Sequence, residues 1–284
     1  MVDQQQALIA RVLDLLAQRF GKRAVLRGGM VLRILGSPRF TNDLDYLFVP
    51  YKSKKDIELD VVSCLQSIDG ASVSHSLNSK CLRVVVTVGG VAIQVEAKVA
   101  MNARTSLAST RSLSRQYNLP PRMICVMEHS VAMANKMAAW NERRLIRDLY
   151  DIWFFLQMGI TPDTETLAAR LKKPEYSPSV KLGAVFDGSS VPEFYDFLRH
   201  HVAQLSDVEI RDSLSDYLPP EEADGLAMQF RAALAKLRAP FCPSSSVRYA
   251  ASLLSPKDLQ RTGSSPPRFW GLTRGTERSE NVRR

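Results

Sequence analysis

Asp43 and Asp45 stand two residues apart in the segment Arg39 to Tyr46, with a glycine pair, Gly28-Gly29, upstream. On a β-strand, residues i and i+2 project from the same face, so the two carboxylates aim at one point while Leu44 between them faces the core. Paired carboxylate oxygens suit a hard divalent cation such as Mg2+. Ahead of them, Ala24-Val25-Leu26 reads as a short strand running into the glycines, and Met30 to Leu35 as one or two turns of helix. A glycine turn feeding a helix N-terminus offers backbone N–H groups and the positive end of the helix dipole to a phosphate. Metal and phosphate together point to nucleotide chemistry.

Those residues need a sheet to hold them. Residues 7 to 20 carry Leu8, Val12, Leu15 and Leu16 at helical spacing, which predicts an amphipathic opening helix packed on that sheet. Asp56 to Ser67 repeats the pattern with Ile57, Val61, Cys64 and Leu65. Leu82 to Val88 is β-branched, Gly89-Gly90 turns the chain, and Val91 to Val99 returns as a hairpin partner. In that return strand Ile93, Val95 and Ala97 alternate with Gln94, Glu96 and Lys98, so the polar three share a face. Glu96 on this face is either a third acidic group for the aspartate pair or a surface carboxylate paired with a basic neighbour. Lys98, one pleat further, reads as a surface lysine, with contact to a phosphate as the alternative.

From about Pro120 the period changes from two to helical, with proline joints at Pro120-Pro121, Pro174 to Pro178 and Pro219-Pro220, and no further strand pair is expected. Met127 to Leu156 reads as two helices meeting near Asn141-Glu142. Leu145, Leu149, Ile152 and Leu156 make an apolar stripe on the second, and Arg144, Asp148 and Asp151 fall on another side. Arg144 with Asp148 and Arg147 with Asp151 are i, i+4 neighbours, so plain mutual pairing accounts for the charges. Lys136 lies among Ala132, Ala134, Ala138 and Ala139, which lets helices approach closely with the amine directed into a cleft; a stem snorkelling over apolar surface is the other reading. Thr166 to Leu171, Val191 to Leu205 and Glu221 to Leu237 read as scaffold helices, and His200-His201 as solvated or capping.

The first motif resembles the nucleotidyltransferases of the DNA polymerase β type and, within them, the AbiEii/AbiGii toxin family. These read glycine-glycine, a helix, then Arg-x-Ser/Thr-x-Asp-hydrophobic-Asp, here Gly28, Gly29, Arg39, Thr41, Asp43, Leu44 and Asp45. The second family block, a Lys-x-x-Ala helix followed by Arg-Asp-hydrophobic-Tyr-Asp, falls on Lys136 and Ala139, then Arg147, Asp148, Tyr150 and Asp151. One departure stands out, because the family carries Ser or Thr after the glycine pair where this chain has Met30.

The resemblance implies an α+β fold: a small mixed-sheet nucleotidyltransferase domain over residues 1–115 and a helical domain over 116–240 completing the active-site cleft. It further implies transfer of a nucleoside monophosphate from an NTP to an acceptor hydroxyl. Asp43, Asp45 and Glu96 would hold two Mg2+ ions, Gly28, Gly29, Arg39, Thr41 and Lys136 would bind the nucleotide, and Lys136, Asp148 and Asp151 would complete the catalytic set. Thr41, two residues before the first metal aspartate, is also placed where modification would put negative charge into the metal site; unmodified, it simply starts a strand. Family membership implies a toxin of a toxin–antitoxin or phage-defence system, with RNA, the 3′ end of tRNA, as acceptor and a cognate antitoxin. A small-molecule or protein acceptor, or a degenerate binder of nucleotide or RNA, remain the alternatives, and Met30 is the feature that favours degeneracy.

Composition bounds the class. The chain has 284 residues and a net charge of +9, of which residues 241–284 carry +5. That stretch is rich in Ser, Pro and Arg with little hydrophobic periodicity, and reads as a basic, disordered tail. No segment approaches the length of a membrane span and the N-terminus lacks signal-peptide character, so a cytoplasmic protein without membrane association is expected. Cys64, Cys81, Cys125 and Cys242 are scattered, which argues against a zinc site or a disulfide framework.

Overall fold

The alternating stretch around the aspartates forms strand β2 (Asp43–Phe48), in which Leu44, Tyr46 and Phe48 are buried and Asp43 and Asp45 occupy the other face. This computed structural model describes residues 2–175, 185–188 and 190–237; the tail expected over 241–284, with Cys242, lies outside them. Strand β1 (Ala24–Arg27) leads through Gly28 into the short helix α2 (Gly29–Ile34). Strands β3 (Ala71–Leu77), β4 (Leu82–Val88) and β5 (Val91–Val99) form an antiparallel meander. Gly89 and Gly90 both take positive φ, as a two-residue turn of type I′ requires between the last two. With β6 (Thr105–Ser109) and β7 (Met123–Met127) they make one seven-stranded mixed sheet in the order β3-β4-β5-β2-β1-β7-β6.

Strand β2 is thus central, parallel to β5 and antiparallel to β1. Its registers place Glu96 beside Asp45 on one side and Arg27 beside it on the other. The two faces of the sheet serve two cores. Ala24, Leu26, Leu44, Phe48, Val95, Ile124 and Val126 pack with helices α1 (Val2–Phe20) and α3 (Lys55–Gln66). Val25, Cys125 and Met127 pack instead with helices α5 (His129–Arg143) and α6 (Ile146–Gln157) and the elements that follow. The polar face of β2 and β5 lies on the side covered by this helical layer.

That layer continues through α7 (Thr164–Lys172), α8 (Val191–Ala203), α9 (Asp207–Leu214) and α10 (Leu226–Leu234). The short helix α4 (Arg111–Gln116) links β6 to β7. The expectation of no strand beyond Pro120 is corrected: β7 pairs with both β1 and β6. Its sequence, Met-Ile-Cys-Val-Met, is a short apolar run buried on both faces, whose period cannot be told from that of a buried helix. The break expected near Asn141-Glu142 falls instead at Arg144, whose φ of 54° ends α5 in the left-handed conformation. The last predicted helix begins at Leu226 rather than Glu221, and α9, opened by a Ser206–Glu209 capping box, precedes it. Cys64, Cys81 and Cys125 are buried free thiols. Among the described residues, no helix is long and apolar enough to cross a membrane.

Candidate active site

The two aspartates have different surroundings. The Thr41 hydroxyl donates to Asp43 Oδ1 at 2.9 Å, and Gln6 Nε2 from α1 donates to the Thr41 carbonyl at 3.0 Å. Asp45 lies against the glycine turn. Gly28 has φ +75°, and a Cβ there would stand 2.2 Å from Asp45 Oδ2. At Gly29 a Cβ would stand 2.4 Å from an Arg39 guanidinium nitrogen. The glycine pair therefore leaves room for the Asp45 and Arg39 side chains.

Burial, followed by the repulsion of Asp43 and more weakly Glu96, raises the Asp45 pKa against the opposing pull of Arg27 and Lys136. Carboxylates crowded on a half-buried face call for a cation. Two oxygen-donor side chains on one face of β2 match what a hard divalent ion takes, so Asp43 and Asp45 fit that role. Glu96 adjoins Asp45 in register but accepts hydrogen bonds from Arg83 and Gln94, both at 2.9 Å. It thus makes the pairing with a basic neighbour that its strand position allowed. Among the described residues, no three His, Cys, Asp or Glu side chains already converge as a metal cage.

Facing the aspartates is a buried ionic network drawn from three separate parts of the chain. Arg39, in the loop between α2 and β2, donates Nε to Asp151 Oδ1 at 2.8 Å. Lys136 of α5 sits 2.5 Å from Asp151 Oδ2 and 3.5 Å from Asp148 Oδ1. Arg143 donates to both oxygens of Asp148, at 2.9 and 2.8 Å. Asp148 and Asp151 are wholly buried and spaced i, i+3 on α6, which turns both toward α5. Burial alone would raise the Asp151 pKa, but Arg39 and Lys136 hold it below the ordinary value. Burial would likewise lower that of Lys136, yet Asp151 and Asp148 outweigh it and keep the amine firmly charged.

The i, i+4 pairing that spacing alone allowed to Arg144 and Arg147 is not what forms. Arg144 lies over the rings of Trp140 and Phe197, at 4.3 and 4.7 Å, and Arg147 donates to the Tyr217 hydroxyl at 3.0 Å. Arg144 stands before α6 in the left-handed conformation and so is out of helical register with Asp148, while Asp151 is already taken by Arg39 and Lys136. The Met30 side chain is fully buried in the core beneath the glycine turn. It faces away from the aspartates, so the loss of a hydroxyl there is a packing change. His200 and His201 meet Gln204 and the Phe197 carbonyl, far from the carboxylates in sequence and unconnected to them.

Three cavities open around the pair, of about 100, 620 and 260 Å3, all lined by Asp45 and Arg143. The third is walled by Gly29, Arg39, Thr41, Lys136 and Tyr217; the second by Lys80, Arg83, Glu96 and Lys98. Sequence reasoning missed Arg27, Arg143, Arg170, Glu175 and Tyr217. Only Arg27 had a signal, since a strand of Ala-Val-Leu-Arg beside the aspartate strand must put its arginine on the aspartates' face. Tyr217 comes from a loop after α9, where its carbonyl accepts from the Phe40 N–H at 2.8 Å.

A glycine turn, a central strand with paired aspartates and a facing lysine and arginine define a nucleotidyltransferase. The family of nucleotidyl transferase AbiEii toxins of type IV toxin–antitoxin systems matches residues 11–238, and the chain belongs to this family. Its fold is similar to that of MenT4, a nucleotidyltransferase toxin from Mycobacterium tuberculosis H37Rv, at 18% identity and a TM-score of 0.54 over 83% of this chain and 84% of that one. It is also similar to JHP933 from Helicobacter pylori, at 15% identity and a TM-score of 0.46 over 82% and 89% of the two chains. No curated protein matches the sequence.

Proposed function

We propose that the protein is a metal-dependent toxin that transfers a nucleoside monophosphate from an NTP to an acceptor hydroxyl on RNA, at the 3′ end of tRNA, and is restrained by a cognate antitoxin. The observation that carries the chemistry is the opposition of Asp43 and Asp45 on β2 to the cations Arg39, Lys136 and Arg143 across one cleft. The RNA acceptor and the antitoxin rest on family membership.

Mg2+ held by Asp43 and Asp45 would supply electrophilic activation of the phosphate and a lowered pKa for the attacking hydroxyl. The protein's own groups do the rest. Arg39 and Lys136 are positive, oriented and largely withdrawn from water, the conditions under which they best offset charge developing on the triphosphate. Asp151 and Asp148 fix those cations, so their contribution to catalysis is positioning. Thr41 fixes the Asp43 carboxylate, and Gly28 leaves room for that of Asp45. Glu96, released from Arg83, is the group placed beside Asp45 to bind metal or take the acceptor proton. Gly28 and Gly29 would present N–H groups to the outer phosphates.

The test is transfer of label from each α-labelled ribonucleoside triphosphate to total tRNA with Mg2+, alongside a reaction lacking tRNA. Label on tRNA that vanishes in Asp43→Ala supports the reading. Label on the protein itself replaces the acceptor, and triphosphate binding without transfer to either overturns RNA nucleotidylation.

A further inference from the structure

The cleft holds a second ionic cluster that the reaction as described does not use. Glu175, just beyond α7, sets its carboxylate between Lys98 of β5 and Arg170 of α7, with Oε2 3.1 Å from Lys98 Nζ and Oε1 2.5 Å from an Arg170 terminal nitrogen. Arg170 is only 13% exposed and is held from behind by Glu142, itself 2% exposed, at 2.8 Å. Arg27, Gly28, Asp45 and Lys136 line the same cavity. Lys98 shares a sheet face with Glu96 and Asp45.

Two of the three members are anchored and the third is not. Arg170 is held by a buried carboxylate and Lys98 stands on a paired strand, whereas Glu175 is 40% exposed and lies outside α7, three residues past its end. A guanidinium tethered through one terminal nitrogen keeps its other N–H groups for an oxyanion. A carboxylate is the nearest thing a protein has to a phosphate oxygen pair, and here it sits within the catalytic cavity. Lys98 and Arg170 hold the Glu175 carboxyl below its ordinary pKa despite burial, so it is an anion at neutral pH.

Building on the nucleotidyltransferase reading, we propose that Lys98 and Arg170 form a phosphate subsite of the active-site cleft, and that Glu175 is an internal carboxylate competing with the substrate's phosphate for it. The phosphate belongs to the triphosphate donor or to a phosphodiester of the acceptor strand; the chemistry is common to both.

The experiment measures binding rather than turnover, without metal, on the full chain. Tripolyphosphate is titrated by calorimetry and a short single-stranded oligoribonucleotide by anisotropy, against wild type, Glu175→Gln and Glu175→Gln with Lys98→Ala. Glu175→Gln should bind one probe about tenfold tighter than wild type, and adding Lys98→Ala should remove the gain. A gain for tripolyphosphate assigns the subsite to the donor, a gain for the oligoribonucleotide alone to the acceptor. If Glu175→Gln fails to fold, Lys98→Met in the otherwise wild-type chain should weaken the same probe severalfold. Unchanged affinity for both probes in every folded variant overturns the subsite. Absence of transfer to any acceptor, with these affinity changes present, overturns the nucleotidyltransferase reading of the cleft and leaves the subsite standing.

Discussion

Asp45 Oδ2 occupies the space in which a side chain at position 28 would begin: a Cβ on Gly28 would be 2.2 Å away. Gly28 also has a positive φ, a conformation costing an L side chain roughly 1–2 kcal/mol. Gly28→Ala should therefore push the Asp45 carboxylate off its position while costing stability of about that size. Transfer activity should fall by about a hundredfold or more, well beyond the loss of folded protein, as a paired measurement of initial rate and urea midpoint would reveal. Equal losses in both would reduce Gly28 to a backbone requirement.

Asp43 is half-exposed and its carboxylate meets the Thr41 hydroxyl. Asp43→Asn keeps that hydrogen bond and removes the charge, so melting temperature should stay within a few degrees of wild type. Activity should drop by about a thousandfold or more, and Mg2+ should no longer raise the melting temperature. A variant retaining wild-type rates would remove the aspartate pair from the mechanism.

The Arg39–Asp151–Lys136 bridge makes stability pH-dependent. The folded-state pKa of Asp151 lies below its ordinary 3.8, so the native state binds fewer protons than the unfolded chain near that pH. The stabilisation is fully present above 3.8 and is lost as pH falls through the lower folded value. Asp151→Asn should cost about 3 kcal/mol at neutral pH, because it leaves buried Arg39 without its carboxylate and Lys136 with only the more distant Asp148, and the difference from wild type should shrink on acidification below 3.8. Urea unfolding of both proteins across this range tests it; a pH-independent gap would mean that the carboxylate's charge is immaterial.

Met30→Ser restores the residue type common in the family but removes a fully buried side chain from the core. The expected result is a loss of about 2–4 kcal/mol with no gain in turnover per folded molecule. A clear rise in specific activity would show that position 30 reaches the substrate after all.

Lys136→Met should raise the KM for triphosphate about tenfold or more. Because Asp148 keeps Arg143 and Asp151 keeps Arg39, unfolding should be affected less than in Asp151→Asn. Steady-state kinetics with varied NTP decides it: a fall in stability with unchanged KM would make Lys136 a structural cation.

The half of the fold around the aspartates was legible because its signals are local. Leu82–Val88 and Val91–Val99 alternate cleanly around a glycine turn, and both strands form with those bounds. Strand β7 hid because a run buried on both faces has no period, and β6 because it is a five-residue edge strand closed by that same β7. At the site, Asp43, Asp45 and Lys136 line one cavity, while i, i+4 spacing alone gave no hint of the partners that Asp148 and Asp151 take. Helical spacing ranks neighbours within one element and is blind to Arg39, which approaches from 112 residues away. Tyr217 and Glu175, carried by loops, had no periodic signature at all.

Strand β2 is fourth of seven, hydrogen-bonded along both edges, with a core beneath its apolar face. The amides from Leu44 to Phe48 should therefore exchange with solvent deuterium only when the whole molecule unfolds. The aspartates ride on a strand held by its neighbours along both edges. Whatever adjustment lets a substrate enter, align and leave must be made by the helical wall and by the loops bearing Arg39 and Tyr217, so turnover should respond to viscosity and temperature through those segments while the aspartate-bearing strand stays still.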